Sequence, residues 1–269
     1  MKQRTIARPF TLEGIGLHGG KASRLTFRPA PANAGIVFSR AGRTIPALPH
    51  NVVDTRRGTS LGGVAVVEHV LSAISGLGID NIEIEVDGDE VPGLDGCALL
   101  FVDSLEKAGT KQQRPEKRFI TVDEPVKLSD RDATLEVRPG RGLKIDFMVN
   151  FPGVGEQHFS FDAVKKSYKK EIAPARTFGY IEEYESLKQE CLARGASLDN
   201  VLVLSKDGYV NTPRFPDEMA RHKVLDLIGD LALAGRPLRA DVRAVRSGHR
   251  LNVEMARLLY ERGRQQGGK

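Results

Sequence analysis

Apolar and polar residues alternate in several short segments of this chain. Residues 82–86 read Ile, Glu, Ile, Glu and Val, which is the period-two pattern of a strand with one buried face. Residues 222–234 have the spacing of an amphipathic helix instead, and Gly235 and Pro237 follow as a helix-terminating signal. The pattern predicts sheets that are buried on one face, and amphipathic helices that pack on that face.

The order of these elements repeats once along the chain. A strand-like segment around Arg28 has a counterpart around Arg138, 110 residues later. His69 and His222, each near the start of an apolar helical segment, are 153 residues apart. The separation between equivalent positions therefore grows from 110 to 153 residues along the chain. This growth indicates about forty extra residues in the second half, which a single insertion explains.

We therefore predict an α+β fold of two related two-layer sandwich domains, each with a small, mostly antiparallel sheet packed on two helices. Residues 1–112 form the first predicted domain and residues 117–269 the second. The polar segment 111–117 contains proline and no apolar residue, and it is interpreted as the linker between them.

Composition narrows the classes of function. The 40 basic and 35 acidic side chains give a net charge of +5 and are interspersed, which favours an anionic small ligand over nucleic acid. Two cysteines, Cys97 and Cys191, are too few for a disulfide framework, so a reduced, cytoplasmic protein is expected. The main apolar stretch, residues 64–79, is interrupted by Glu68 and His69, and we expect no segment that crosses a membrane.

The richest candidate chemistry lies on the second apolar helix. His222, Asp226 and Asp230 are spaced by four residues each, which places them on one helix stripe. The repeat puts Glu68 and His69 at the start of the equivalent helix, so the two imidazoles meet if the halves pack about a pseudo-two-fold axis. Two imidazoles and one carboxylate are a common catalytic zinc set, with an adjacent carboxylate such as Glu68 as the proton acceptor. The alternative is a solvated polar face on an ordinary amphipathic helix.

Two other histidines are open to two interpretations. His249 precedes the final helix, where it is either a helix-start residue or an imidazolium that stabilises an oxyanion and protonates a leaving amine, oriented by Asp230. His18 lies in the glycine-rich segment 14–20, where a position in a hairpin turn is the favoured interpretation. The second interpretation is that His18 binds substrate.

Seven spaced motifs together resemble the zinc-dependent UDP-3-O-acyl-N-acetylglucosamine deacetylases of lipid A biosynthesis. They cover nearly the whole chain in the order of that family, and one of them is ten residues long. The motifs are Glu13–His18, Val67–His69, Gly78–Asn81, Leu94–Gly96, Ala175–Gly179, Arg221–Asp230 and Ser247–Asn252.

The resemblance implies two insertions in the duplicated fold. A small β insert is expected near residues 40–65 of the first domain, and a strand-helix-strand insert near residues 180–214 of the second. The second insert is expected to form an apolar passage for the acyl chain of the substrate. The candidates for its lining are Leu187, Leu192, Val201, Leu202, Val203 and Leu204, although a separate small core would explain the same residues.

The resemblance also implies a role for each matching residue. The expected zinc ligands are His69, His222 and Asp226. Glu68 is expected to be the general base, and His249 the general acid, held by Asp230.

Contacts with the substrate are implied in the same way. Thr177 is expected to hydrogen-bond the acetamide oxygen or the oxyanion, Phe178 to lie near the sugar, and Lys223 to meet the diphosphate. The alternative for Thr177 is a hydroxyl at the end of a strand that hydrogen-bonds the backbone. The alternative for Lys223 is a solvated charge on a helix.

The expected activity is zinc-dependent hydrolysis of UDP-3-O-acyl-N-acetylglucosamine to the free amine and acetate, an early committed step of lipid A biosynthesis. We expect a cytoplasmic monomer that works at the inner face of the membrane without an anchor. One alternative is a zinc amidase for another N-acetylated amino-sugar conjugate. Another is a noncatalytic binding module on the same scaffold, which the intact set of candidate catalytic residues disfavours.

Overall fold

The computed structural model describes residues 1–266; the last three residues of the predicted second domain, 267–269, lie outside the described residues. Its helices are α1 (Glu68–Gly76), α2 (Leu99–Ala108), α3 (Tyr168–Glu171), α4 (Tyr184–Gln189), α5 (Glu218–Ala232) and α6 (His249–Gln266). Its first-half strands are β1 (Lys2–Ile6), β2 (Phe10–Ile15), β3 (Ala22–Pro29), β4 (Ile36–Arg40), β5 (Arg43–Pro46), β6 (Val52–Asp54), β7 (Ser60–Leu61), β8 (Ile82–Asp87) and β9 (Thr110–Glu116). Its second-half strands are β10 (Ile120–Thr121), β11 (Val126–Asp130), β12 (Ala133–Pro139), β13 (Leu143–Phe151), β14 (Gly155–Asp162), β15 (Phe178–Tyr180), β16 (Leu202–Ser205), β17 (Gly208–Tyr209) and β18 (Leu238–Val245).

Two sheets with the same topology form the frame of the molecule. The first has the strand order β2-β3-β8-β4-β5, and the second has the order β11-β12-β18-β13-β14, with the short β10 also beside β18. In both sheets the third and fourth strands of this order run parallel and the other neighbours along it run antiparallel. The predicted α+β class and its mostly antiparallel sheets are confirmed, and the shared order is what a duplicated unit produces.

The duplication extends to a detail of the backbone. Leu94 and Arg246, 152 residues apart, both adopt a left-handed conformation, with φ of 50° and 51°. Each lies a few residues before the last helix of its half, α2 or α6. Because non-glycine residues seldom adopt positive φ, the same unusual turn at equivalent positions supports a common ancestral unit.

Long helices pack on the second sheet, and a contact between helices joins the two halves. Helix α5 packs on β13 and β14, α6 packs on β11 and β12, and α1 packs directly against α5. Most buried apolar side chains of both halves form one continuous cluster, which includes Phe27, Phe101 and Phe147. Since burying a large apolar side chain contributes about 1.5–3 kcal/mol, this shared core holds the halves in a fixed relation.

A glycine sets how closely α1 and α5 approach. A Cβ atom built on Gly229 would lie 2.1 Å from the backbone oxygen of Glu68, the first residue of α1. That distance is far inside van der Waals contact, so only glycine is compatible with this approach of the two backbones.

Two small sheets lie outside this frame. Strands β6 and β7 pair in the first half. In the second half β15 and β16 run parallel with α4 between them, and β17 completes a three-stranded sheet. The second insertion therefore has the expected strand-helix-strand order, whereas β5, at the start of the first expected insertion, belongs to the main sheet. The domain boundaries themselves stay a prediction.

The segment 111–117, interpreted from its polarity as the linker between the two predicted domains, has regular secondary structure. Most of it belongs to β9, which pairs antiparallel with β1, and the ammonium of Met1 lies 2.8 Å from Glu116 at the end of this ribbon. Most side chains of β9 are exposed. A strand with solvent on both faces lacks the apolar alternation that identifies a half-buried strand, which is why the pattern missed it.

Among residues 1–266, no helix combines the length and the apolar character that crossing a bilayer requires.

Replacing Gly229 by alanine should lower the free energy of unfolding by at least about 3 kcal/mol, the upper end for an overpacked core. The loss should appear although alanine is the better helix former by about 1 kcal/mol. Urea denaturation measures it, with Gly179→Ala as the control, because a methyl group there meets nothing within 4 Å. Equal midpoints for the two variants would contradict the proposed close approach.

Candidate metal centre and active site

Helices α1 and α5 bring three potential metal ligands together. His69 lies in the first turn of α1, and His222 and Asp226 lie one turn apart on α5. Nε2 of His222 is 3.2 Å from Oδ1 of Asp226, and Nε2 of His69 is 3.8 Å from the same oxygen. All three residues are buried, and their potential donor atoms lie within 4.8 Å of one another. The structure thus brings together the three residues that the sequence analysis selected as ligands.

The chemistry of this cluster fits a divalent cation. Oδ1 of Asp226 is buried without a partner in hydrogen-bonding geometry within residues 1–266, which is costly unless a cation satisfies it. Burial and the neighbouring His222 lower the pKa of His69 to about 3, so its imidazole is neutral and keeps the lone pair that binds metals. Burial opposes ionisation of Asp226, but His222, Lys223 and His249 outweigh it and hold the pKa of Asp226 well below its usual value.

Groups behind His222 fix the direction of its ring. Nδ1 of His222 lies 3.1 Å from the carbonyl oxygen of Ala175, so Nε2 faces the other two potential ligands. The ring of Phe178 contacts the His222 ring edge to face, with centroids 5.9 Å apart. In the sequence between Ala175 and Phe178, Arg176 makes three hydrogen bonds to the buried carboxylate of Glu218, the first residue of α5. Contacts of this kind set the orientation of ligating imidazoles.

Glu68 and His249 face Asp226 in complementary protonation states. Each has a potential ligand atom within 4.8 Å of the other and of Asp226. Burial raises the pKa of Glu68 to about 7. Burial disfavours the imidazolium of His249, but the carboxylates of Asp230 and Asp226 outweigh it and raise the pKa of His249 to about 9. At neutral pH one group can accept a proton while the other carries one, as acid–base catalysis requires.

Asp230 is fully buried and is hydrogen-bonded through both carboxylate oxygens. Its Oδ2 accepts from Nδ1 of His249 and from Nδ2 of Asn252, both at 2.9 Å. Its Oδ1 accepts from the hydroxyl of Thr59 at 2.6 Å. The expected contact between Asp230 and His249 is therefore present, with two further donors around the carboxylate.

Thr59 and Asn252 were not among the candidates from sequence. Asn252 follows His249 by three residues on α6, so helical spacing alone could have identified it. Thr59 lies between the paired strands β6 and β7, 171 residues before Asp230, and no spacing rule connects positions so far apart.

The cluster opens into a cavity of about 390 Å³. All four expected substrate-contact residues, Thr177, Phe178, Lys223 and His18, line this cavity. The remaining wall is mostly apolar and comes largely from the strand-helix-strand insertion. The cavity therefore joins a polar, charged region to an apolar one, an arrangement suited to an amphiphilic ligand.

Lys223 faces the metal-ligand candidates. Its Nζ lies 2.7 Å from Oδ2 of Asp226. Burial opposes the charge on Lys223, but Asp226 and then Asp230 outweigh it and raise the pKa of the ammonium. A contact between this ammonium and a diphosphate stays a prediction.

The turn that carries His18 is built around a carboxylate. The backbone amides of His18 and Gly19 donate to the two oxygens of Glu90, at 2.8 and 2.7 Å. Nε2 of His18 lies 3.0 Å from the carbonyl oxygen of Arg57, and Arg57 forms an ion pair with Glu183 at 2.7 Å. His18 is thus both a turn residue and part of the cavity wall, where the two insertions meet.

The expected lining of an acyl passage is only half right. Leu187, Val201 and Val203 line the cavity. Leu202 and Leu204 point the other way and are fully buried in a small core of the insertion, and Leu192 is not part of the wall. For Leu202 and Leu204 the reason is strand alternation, since successive side chains of β16 face opposite sides of the sheet.

Comparison with known proteins gives consistent matches. The family model described as UDP-3-O-acyl N-acetylglycosamine deacetylase matches residues 3–261. A UDP-3-O-acyl-N-acetylglucosamine deacetylase from Anaeromyxobacter sp. (strain Fw109-5) is 45% identical over 265 residues, which cover 95% of this chain and 87% of the relative. Proteins of the same name from Myxococcus xanthus and Acidithiobacillus ferrooxidans are each 42% identical, over 95% and 97% of this chain and 85% and 91% of their own lengths.

Proposed function

The chain belongs to the UDP-3-O-acyl N-acetylglycosamine deacetylase family, and from this membership we propose that it hydrolyses the acetamide of UDP-3-O-acyl-N-acetylglucosamine. Water cleaves the amide C–N bond, giving acetate and the free amine of UDP-3-O-acyl-glucosamine. This reaction is an early committed step of lipid A biosynthesis. The observation that carries the proposal is the buried cluster of His69, His222 and Asp226, with Glu68 and His249 beside it in one partly apolar cavity.

We propose zinc as the cofactor, held by His69, His222 and Asp226. The unpartnered oxygen of Asp226 and the neutral imidazole of His69 support this assignment. A zinc ion in such a set would supply Lewis acidity, which lowers the pKa of water to about 7 and polarises a carbonyl oxygen.

The side chains supply the proton transfers. Glu68 accepts a proton from the attacking water, a role supported by its raised pKa and its position beside the ligand cluster. His249 donates a proton to the nitrogen of the departing amine. Asp230 holds Nδ1 of His249 at 2.9 Å, which leaves Nε2 directed toward Asp226 and the cavity.

Other cavity residues bind and orient the substrate. The hydroxyl of Thr177 donates to the acetamide oxygen and to the oxyanion that develops from it, as in other acyl-transfer sites. Phe178 packs against the sugar, His18 contributes a polar wall, and Lys223 contributes positive charge toward the diphosphate. The apolar side chains of the insertion surround the acyl chain, because about 0.8 kcal/mol is gained for each methylene removed from water.

The rival functions differ from this one in specific ways. A zinc amidase for another amino-sugar conjugate would keep the same catalytic residues but would not need an apolar wall of this extent. A noncatalytic module would have no physical reason to keep two buried or nearly buried groups of titratable side chains that share Asp226. We also propose that the enzyme acts in the cytoplasm, where nucleotide sugars are made.

An assay with UDP-N-acetylglucosamine substrates that differ only in the 3-O-acyl chain tests the proposal. Long-chain substrates should release acetate, and removal of the acyl chain should lower kcat/KM at least about 100-fold through lost apolar contact. A chelator should abolish the release, and added zinc should restore it. Equal rates with and without the acyl chain would favour the rival amidase, and absence of acetate release from every substrate would favour a noncatalytic module.

Replacing Glu68 or His249 by alanine should lower kcat by about 100-fold or more, the usual range for a general acid or base. The metal content, measured by elemental analysis, should stay at that of the unaltered protein. The matched controls are Glu83→Ala and His158→Ala, which remove exposed side chains of the same types on the main sheets. An equal loss of metal would reassign Glu68 or His249 as a ligand.

A further inference from the structure

Thr59 contacts both proposed proton-transfer residues, Glu68 and His249. Its backbone N–H donates to Oε2 of Glu68 at 2.9 Å, and its carbonyl oxygen accepts from the N–H of Val67 at 3.0 Å. Its hydroxyl donates to Oδ1 of Asp230 at 2.6 Å and lies 3.4 Å from Nδ1 of His249. One residue thus contacts the start of α1 through its backbone and α5 through its side chain.

The backbone before Thr59 is shaped to make these contacts. Arg57 has a left-handed φ of 60°, and Gly58 has a φ of 150°, a conformation that is accessible essentially only to glycine. A Cβ atom on Gly58 would lie 3.0 Å from Oε1 of Glu68. The chain therefore passes directly over the Glu68 carboxylate, and a side chain at position 58 would press on it.

The hydroxyl of Thr59 completes the hydrogen bonding of Asp230. Within residues 1–266 it is the donor to Oδ1, whereas Oδ2 is shared by His249 and Asn252. Asp230 is fully buried, so bulk solvent does not reach the oxygen that loses its donor. Without the hydroxyl, Oδ1 of Asp230 loses its donor and only the two contacts of Oδ2 orient the carboxylate, which weakens its hold on the imidazole of His249.

Thr59 does not itself reach the substrate. It is fully buried and is not part of the cavity wall. Building on the proposed deacetylase activity, we propose that Thr59 is a positioning residue, which fixes the Glu68 carboxylate and the His249 imidazole relative to each other across the boundary between the two repeats.

A hydroxyl-removal series tests this role. Thr59→Val keeps the size and the backbone N–H but removes the hydroxyl, and it should lower kcat about 10- to 100-fold, the range for lost outer contacts. KM should stay within about twofold, because the cavity wall is unchanged. Thr59→Ser restores the hydroxyl and should recover kcat to within about threefold of the unaltered enzyme.

A matched control separates positioning from general loss of stability. Ser72 is fully buried on α1, accepts a hydrogen bond from the hydroxyl of Tyr168 at 2.8 Å and does not line the cavity. Ser72→Ala should lower the melting temperature, as Thr59→Val does, but should leave kcat within about twofold.

A second measurement does not depend on turnover. In nitrogen-15 NMR spectra, the Nδ1–H signal of His249, protected by its bond to Asp230, should shift or broaden in Thr59→Val and persist in Thr59→Ser. Metal content should be the same in all variants.

The outcomes separate this inference from the proposed function. If the unaltered protein releases no acetate, the deacetylase proposal fails, and the NMR comparison still tests the role of Thr59. If the unaltered protein is active and Thr59→Val has the same kcat, or if Thr59→Ser loses as much as Thr59→Val, the positioning role is refuted. Loss of metal from Thr59→Val alone would also refute it, since the residue would then support the ligands instead.

Discussion

The direct contact between α1 and α5 is the constraint on which the site depends. Gly229 lets the two helix backbones approach, and the imidazoles of His69 and His222 consequently lie with ring centroids 5.1 Å apart. Each repeat alone carries one of these histidines, so neither half contains all three proposed ligands. Because one apolar core extends through both halves, the energy that folds the protein also holds the ligand set together.

Burying so many titratable groups is costly, and the site offsets the cost through pairing. Asp226 lies against Lys223, and Asp230 lies against His249 with two neutral donors beside it. The neighbours also separate the protonation states: burial leaves His69 neutral, whereas two carboxylates keep His249 charged. The same arrangement that satisfies buried charge therefore suits His69 to its proposed role as a metal ligand and His249 to its proposed role as a proton donor.

Local patterns predicted the duplicated sheets, the helices and the His-Asp stripe, because periodicity and helical spacing are short-range properties. They failed where the determinant is long-range. Strand β9 is polar on both faces, and the face to which Leu202 and Leu204 point depends on which side of β16 meets the cavity. Thr59 acquires its role only when a loop from one repeat reaches a helix of the other. The proposed metal ligands could be predicted because the repeat related the two distant helices that carry them.

Anomalous diffraction at the zinc edge, from crystals of the zinc-loaded protein, tests the central claim most directly. The account predicts one strong peak bonded to His69, His222 and Asp226, with Zn–N distances of about 2.0–2.1 Å. A peak bonded elsewhere, or imidazoles of His69 and His222 that share no ion, would contradict it.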